Sequence, residues 1–185
     1  MMKNYIEQRT IDNIPHIKVA GLLDDENRFV NEWIKYTLQY AIDSNDSNEV
    51  GVMLDKSNWN NYDTVLGEEK KVRYNTDKMQ KWQDEGNDNL ILIHNHPSNH
   101  IFSDRDIFNF CKTQAVNTLI VVGNKGTIYL LQKLVDFDKF LLIQYYSVAI
   151  DKNKYRYTRC EILENTLRKY QSKFNVKFER EDIVC

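Results

Sequence analysis

Three of the chain's four histidines lie within seven positions, at His94, His96 and His100. In extended backbone, side chains two positions apart point to the same side, so the imidazoles of His94 and His96 can face one point. A carboxylate follows at Asp106. Two imidazoles and one carboxylate suit zinc, and three protein ligands leave the fourth tetrahedral position for water, as in catalytic zinc sites. The spacing therefore predicts a Zn²⁺ site held by His94, His96 and Asp106, in which the metal activates a water molecule.

Two neighbouring residues are alternative ligands. Asp104 lies two positions before Asp106, and His100 lies in the loop that follows the two histidines. Either side chain would complete a three-ligand set, because carboxylate oxygen and imidazole nitrogen both bind zinc. A His-x-His pair is by itself a weak signal of a metal site, so the choice of the third ligand depends on the wider pattern. His100 is otherwise interpreted as a solvent-facing loop residue.

The wider pattern resembles a known family. His94-Asn95-His96-Pro97, followed by Ser103-x-x-Asp106, is similar to the signature of the JAMM (MPN-plus) zinc metalloproteases. The family also has a glutamate on an earlier strand, and Glu49, which opens Glu-Val-Gly-Val-Met-Leu, precedes the first histidine by 45 positions, as is usual there. The resemblance covers roughly residues 15 to 150 and is closest to the bacterial RadC-like branch. One departure is that only five residues, 98–102, separate the proline from the serine, where the family usually has six.

The resemblance implies a fold and a role for each residue. The fold would be α/β, of α+β type, with an MPN/cytidine-deaminase-like central mixed β-sheet flanked by helices. His94, His96 and Asp106 would ligate Zn²⁺, Glu49 would act as general base on the bound water, and Ser103 would direct its hydroxyl to the oxyanion. The substrate would be a protein or peptide, cleaved at a peptide or isopeptide bond, with a ubiquitin-like tail as one example.

Two other functions remain open at this point. The first is an MPN-type scaffold that binds partners without catalysis; such modules typically lose the histidines or the aspartate, whereas this chain has all of them. The second is a RadC-like protein with a nucleic-acid-linked role, which a net charge of −2 does not favour. Amidohydrolases also place His-x-His at a strand end, but their barrels need about 250 residues, more than this chain has.

Patterns of apolar residues and turn formers predict the elements around the site. Leu90-Ile91-Leu92-Ile93 is an uninterrupted apolar run that predicts a strand buried on both faces and ending at the histidines. A Gly-Asn-Lys-Gly turn between two apolar runs predicts a hairpin. The predicted strands cover about 16–20, 49–54, 64–66, 90–93, 118–122, 127–131 and 140–146. The predicted helices run from residue 24 or 25 to about 42, over about 75–84 and over about 104–115.

The composition indicates one domain over residues 1–150 and a basic, amphipathic extension over 151–185. The extension has nine Lys and Arg against six Asp and Glu, and Leu163, Leu167, Tyr170 and Phe174 recur at helical spacing. No apolar run approaches the roughly 20 residues of a membrane span, and the start of the chain has no apolar signal core. Three distant cysteines, Cys111, Cys160 and Cys185, do not form a disulfide framework or a metal knuckle. We therefore expect a cytoplasmic protein without membrane contact.

Overall fold

A six-stranded mixed β-sheet with helices packed against it forms the framework of the chain, as seen in a computed structural model that describes residues 3–86 and 88–183. The predicted α/β class, of α+β type, is confirmed. The helices are α1 (Gln8–Asp12), α2 (Asp24–Asn45), α3 (Asp77–Asp84), α4 (Asp104–Lys112), α5 (Lys139–Asn153) and α6 (Arg159–Phe174). The strands are β1 (Val50–Asp55), β2 (Tyr62–Leu66), β3 (Leu90–His96), β4 (Val116–Gly123), β5 (Ile128–Lys133) and β6 (Val176–Glu181).

The strands lie in the order β2-β1-β3-β4-β5-β6. β3 and β4 are parallel, and every other neighbouring pair among the described strands is antiparallel. All residues of β3 and β4 are buried, which accounts for their uninterrupted apolar runs. The predicted hairpin is confirmed as β4 and β5, and the predicted pairing of residues 64–66 is confirmed as β2 against β1.

Alternation along β3 decides which side chains reach the candidate site. Ile91 and Ile93 pack in the cluster that contains α2, whereas Leu90 and Leu92 pack in the cluster that contains α3 to α6. Because successive side chains of a strand point to opposite faces, His94 and His96 share the face of Leu90 and Leu92, and Asn95 shares the face of α2. The two histidines therefore point towards the layer that contains α4.

The predicted strand over residues 16–20 is wrong, because side-chain amides take the place of a neighbouring strand. Asn31 accepts a hydrogen bond from the Ile17 N–H (3.0 Å) and donates one to the Ile17 carbonyl (2.9 Å). Gln132 forms the same pair of bonds with Ala20, at 2.9 and 2.8 Å. Ile17 and Val19 are buried as in a strand, but the backbone groups of the segment bond to side chains of α2 and β5 without a β-ladder.

The predicted strand over residues 140–146 is also wrong, because this segment forms the first half of α5. Asp138 accepts a hydrogen bond from the Leu141 N–H at 2.9 Å and caps the helix. Leu142 and Tyr146, which are one helical turn apart, are its buried residues. The apolar run Phe140-Leu141-Leu142-Ile143 matches a buried strand in type, and only its length within a longer helix distinguishes the two structures.

The last part of the chain contains both the predicted helix and a strand that was not predicted. α6 buries Leu163, Leu167 and Phe174, as its apolar periodicity indicated. After α6, β6 pairs with β5 and adds a sixth strand to the sheet. α5 runs through residue 150, where the sequence suggested the start of an extension.

Two further predictions concern the membrane and the cysteines. Within residues 3–86 and 88–183, no helix is both long enough and apolar enough to cross a membrane. Cys111 is a buried free thiol and Cys160 is a partly buried one, while Cys185 lies outside the described residues.

Candidate metal centre

The ends of the two histidine side chains meet at the carboxyl end of β3. Their Nε2 atoms are 3.0 Å apart, and the side chains are almost completely buried, with His94 1% and His96 6% exposed. β1 and β4 flank β3 on both sides and hold its backbone, so the ring positions follow from the strand itself. Two ring nitrogens at this separation need a proton or a cation between them, because their lone pairs would otherwise repel.

Asp106 completes a compact set of three ligand atoms. Its Oδ1 lies 3.6 Å from Nε2 of His94, and its Oδ2 lies 3.5 Å from Nε2 of His96. Tetrahedral zinc with ligands at about 2.0–2.1 Å requires ligand atoms roughly 3.3 Å apart. The three separations of 3.0, 3.5 and 3.6 Å scatter around that value. The residue types and the spacing both fit a zinc ion, and the structure brings all three predicted ligands together.

Hydrogen bonds on the far side of each imidazole orient the ring. Nδ1 of His96 lies 2.9 Å from the His100 carbonyl, which can only accept, so Nδ1 carries the hydrogen. The Tyr74 hydroxyl donates to the Ile93 carbonyl at 3.1 Å and can accept from Nδ1 of His94 at 3.2 Å. Both Nε2 atoms are then left with a lone pair directed at the common point, as metal-binding histidines require.

Ser103 fixes the third ligand. It is the N-cap of α4, with its hydroxyl oxygen accepting the Asp106 N–H at 3.2 Å. The Ser103 backbone N–H and hydroxyl both donate to Oδ2 of Asp106, each at 2.7 Å. This reciprocal capping box satisfies two free donors of the helix and holds the carboxylate towards the histidines. In this arrangement the hydroxyl hydrogen is already used, and the oxyanion role predicted for Ser103 requires it to leave Asp106.

Asp104 and His100, the two alternative ligands, do not take part in the cluster. The carboxylate of Asp104 accepts a hydrogen bond from the Tyr146 hydroxyl at 2.6 Å and pairs with Arg159, so it faces α5 and α6. His100 contributes its carbonyl to His96, and its imidazole is not part of the cluster of three ligand atoms. Asp106 is therefore the third ligand that the geometry favours.

Glu49 lies beside the triad. The register pairs Gly51 of β1 with His94, and continuing it by two residues sets Glu49 opposite His96. Its backbone is fixed by hydrogen bonds with Gly67 (2.7 Å) and Glu68 (3.1 Å). The side chain is buried, and it lines a cavity of about 420 Å³ together with His96 and Asp106. The predicted base thus shares this cavity with two of the predicted ligands, His96 and Asp106.

Burial and neighbouring charge shift the protonation of these groups. The pKa of Glu49 is raised to about 8, mainly by burial; the His96 charge opposes this shift and the Asp106 charge adds to it. Burial by itself raises the pKa of Asp106, but the charges and hydrogen bonds of His94 and His96 outweigh burial and hold that pKa well below its usual range. Burial lowers the pKa of His94, whereas the hydrogen bond and charge of Asp106 outweigh burial at His96 and raise its pKa.

Asn95 is a residue of the site that sequence reasoning did not single out. Its fully buried side chain accepts the Val50 N–H at 2.6 Å and donates to the Asn48 carbonyl at 3.1 Å. It also donates to Asn124 at 2.8 Å. The bonds to Asn48 and Val50 hold the backbone on both sides of Glu49, so Asn95 fixes the start of β1 relative to β3. The only sequence signal was an asparagine inside an apolar strand.

Gly51 and Tyr74 form a second unpredicted feature. A Cβ atom at Gly51 would lie 2.7 Å from Val72 and 2.9 Å from the Tyr74 ring. The absence of a side chain at Gly51 lets the segment after β2 approach β1, which brings the Tyr74 hydroxyl to His94. A glycine within a strand indicates such a close approach, but the sequence does not show which segment approaches.

Two cavities meet at the triad. The cavity of about 420 Å³ lies on the side of Glu49 and His96, and a second cavity of about 670 Å³ lies on the side of Tyr74 and His94. Four residues line both cavities, namely Lys71, Val72, Arg105 and Asp106. A substrate can therefore reach the triad from two sides.

A larger cavity of about 1090 Å³ lies elsewhere and is lined by none of the predicted site residues. Lys133, on its wall, donates to the Thr113 carbonyl at 2.7 Å and lies over the Phe110 ring. The lysine thereby caps the end of α4, which gives it a structural role. Size alone does not make this cavity the reactive one, because the convergent metal-binding groups lie at the triad.

Comparisons of the chain with known protein families, with curated proteins and with solved structures gave no match. The support for a function therefore comes from the geometry of the site. That geometry consists of three convergent ligand atoms, oriented imidazoles and a buried glutamate that shares a cavity with His96 and Asp106.

Proposed function

We propose that the chain is a zinc-dependent amide hydrolase of the JAMM type, a peptidase or isopeptidase. The observation that carries the proposal is the convergence of His94, His96 and Asp106 on one point, with Glu49 beside it in the same cavity. Three protein ligands with access from a cavity are typical of a catalytic zinc site, whereas structural sites usually have four protein ligands. The proposal includes membership of the RadC-like branch of that family and an MPN-like fold for the sheet.

Each residue of the site would have its own role in the reaction. His94, His96 and Asp106 would hold zinc, which when bound supplies a Lewis acid for the scissile carbonyl and lowers the pKa of a water ligand to about 7. Glu49 accepts the proton of the attacking water and delivers it to the leaving amine. Ser103 shifts its hydroxyl hydrogen from Asp106 to the developing oxyanion.

The raised pKa of Glu49 is consistent with a group that carries a proton from water to amine. A carboxyl whose pKa lies at about 8 in the metal-free site is a stronger base than an ordinary glutamate once it has ionised. A cation held by the neighbouring ligands would lower this pKa and favour the carboxylate. Glu49 beside the bound cation can therefore take one proton from water and give it to the leaving amine in each turnover.

The proposed substrate is a protein or peptide, with the tail of a ubiquitin-like protein as one candidate. The proposed setting is the cytoplasm, where Cys111 and Cys160 would remain free thiols. A non-catalytic scaffold differs in one measurable respect, since its partner would bind equally well with and without the metal.

Metal analysis of the purified protein tests the ligands. We expect about one zinc per chain, and loss of that zinc on His94→Ala, His96→Ala or Asp106→Ala substitution. The matched controls are His100→Ala and Asp104→Ala, which change the same residue types just outside the triad and should leave the stoichiometry unchanged. Stoichiometric zinc in the variant with all three ligands replaced would show that the ligand assignment is wrong.

Turnover tests the base. Against a panel of peptide- and isopeptide-linked substrates, Glu49→Gln should retain zinc and lose activity. Glu69→Gln is the control, because Glu69 lines the same cavity but is exposed. Equal rates for the wild type and Glu49→Gln would remove Glu49 from the mechanism.

A further inference from the structure

We propose that the site takes an acidic peptide, with carboxylates on both sides of the amide that reacts. This inference rests on the proposed function for the reaction itself, but its evidence is a separate group of residues. We call this group the basic collar: Lys70, Lys71, Arg73 and Arg105. The collar surrounds the place where the two cavities meet.

The collar residues come from two segments that both line the cavities at the triad. Lys70, Lys71 and Arg73 lie on the segment between β2 and α3, and Arg105 lies on the first turn of α4 beside Asp106. Lys71 and Arg105 line both cavities, Lys70 lines the cavity of Glu49, and Arg73 lines the cavity of His94. An extended ligand that crosses the triad would meet positive charge on each side.

The collar cations are also free of internal partners. Across residues 3–86 and 88–183, no carboxylate lies within ion-pair distance of a collar residue. By contrast, five of the six other arginines form ion pairs. Both collar arginines are exposed and form no hydrogen bond through the guanidinium within the same described ranges. Of the three arginines without an ion pair in the described ranges, two, Arg73 and Arg105, therefore lie beside the candidate reaction site.

Exposed, unpaired cations such as those of the collar contribute more to the binding of a ligand than to the stability of the fold. Cations at the rim of a cavity concentrate anions and speed their association, and the effect weakens as salt screens it. Arginine binds carboxylates through a planar fork of donors, which gives orientation as well as attraction. The collar therefore favours ligands with carboxylates a few residues from the scissile bond.

The same surface favours a peptide over a nucleic acid. Glu69 lines the first cavity and Asp84 lines the second, so each cavity has a carboxylate as well as the collar cations. A phosphate backbone carries a charge on every nucleotide and would meet both acids, whereas a peptide can place single carboxylates against the cations. The aromatic residues of the second cavity are Tyr74, whose hydroxyl is bound at His94 and Ile93, and Phe110, which is buried, so neither provides a free stacking platform.

Binding measured by fluorescence anisotropy tests the inference without turnover. The protein is Glu49→Gln loaded with zinc, and the probes are short labelled peptides of Gly with Glu, Gly with Ser and Gly with Lys, plus a short labelled thymidine strand. We expect the Glu peptide to bind most tightly and to weaken as salt is raised. Arg73→Gln with Arg105→Gln should weaken it by about tenfold, as expected for the loss of two solvent-exposed charge pairs.

The control is Arg156→Gln, because Arg156 also has no ion pair with any residue that the structure describes but lines neither cavity. A second variant, Lys70→Gln with Lys71→Gln, repeats the test from the other segment and guards against a folding defect of the first. Equal affinity for the three peptides, an equal loss in the Arg156 variant, or tighter binding of the thymidine strand would overturn the inference.

The two proposals fail in different ways. A site that binds the Glu peptide through the collar but holds no stoichiometric zinc would refute the hydrolase and support the ligand class. A site with stoichiometric zinc and no preference for the Glu peptide would refute the ligand class alone.

Discussion

Asn95 offers the sharpest test of how the fold positions the site. Its side chain makes three hydrogen bonds, to the Val50 N–H, the Asn48 carbonyl and Asn124, and it is completely buried. Asn95→Ala removes all three bonds and leaves their partners in the interior. Because Val50 follows Glu49 directly, the substitution also releases the backbone that carries the proposed base.

The size of the effect follows from the groups that lose a partner. A buried donor or acceptor without a partner costs about 1–3 kcal/mol, so at the lower bound the Val50 N–H, the Asn48 carbonyl and the Asn124 oxygen together cost about 3 kcal/mol. With an unfolding entropy of about 2.1 cal/mol/K per residue, a chain of this length has a total near 0.4 kcal/mol/K. Asn95→Ala should therefore lower the melting temperature by about 8 °C.

Thermal unfolding followed by circular dichroism measures the shift, with Asn109→Ala as the control because Asn109 is exposed on α4. A double-mutant cycle with Asn124→Ala should give a coupling energy of at least about 0.5 kcal/mol, since the two amides are in contact. His94 and His96 point to the other face of β3, so the folded Asn95 variant should keep its zinc and lose turnover. A melting temperature within about 2 °C of the wild type, or a folded variant without zinc, would refute this account.

Three further predictions concern the groups around the triad. Tyr74→Phe removes the hydroxyl that orients His94, so the affinity for zinc, measured by competition with a chelator, should fall about 10- to 100-fold at unchanged stoichiometry. An unchanged affinity would contradict the orienting role of Tyr74. Ser103→Ala removes the cap of α4 and the hydroxyl's bond to the Asp106 carboxylate, while the backbone N–H bond to that carboxylate remains. It should cost about 1 kcal/mol, or about 2–4 °C in melting temperature, and weaken zinc binding; unaltered unfolding would argue against the capping box. In metal-free protein, the pKa of Glu49 rises from 4.5 to about 8 on folding, so the folded state binds more protons in that range and stability falls as pH rises through it. Glu49→Gln should reduce this fall in denaturant titrations between pH 5 and pH 8, and parallel curves for the two proteins would show that Glu49 is not buried as described.

The central part of the fold was predictable because its signals are local. The apolar run before His94 predicted a strand buried on both faces, and alternation then put His94 and His96 on one side of it. Ser103 is a frequent N-cap residue, and the apolar residues after it recur at helical spacing. Neither inference needs knowledge of distant parts of the chain, and both structural elements are present.

The remaining parts depended on partners far away in sequence. Residues 16–20 have the composition of a strand, but Asn31 and Gln132 satisfy their backbone, and amide side chains leave no periodic pattern. Residues 140–146 are apolar or aromatic except for Gln144, so the pattern that separates helix from strand is missing there. Tyr74 reaches His94 only because Gly51 lets its segment approach β1, which the sequence indicates as a close contact without naming the partner.

The loop between Pro97 and Ser103 is one residue shorter than in the motif that it resembles. The position of Asp106 depends less on the length of this loop than on the Ser-x-x-Asp spacing that follows it. Asp106 is held by the capping box with Ser103, so its distance from that serine is fixed by the first turn of α4. The loop itself turns at once, with Asn99 in a left-handed conformation and its N–H donating to the His96 carbonyl at 3.0 Å. A loop one residue shorter changes the path between the strand and the helix, whereas a change in the Ser-x-x-Asp spacing would move the carboxylate around the helix by about 100°. In this structure both Asp106 oxygens still reach an imidazole. Insertion of one glycine after Asn99 should therefore leave zinc stoichiometry intact, whereas insertion of one alanine between Asp104 and Arg105 should abolish it.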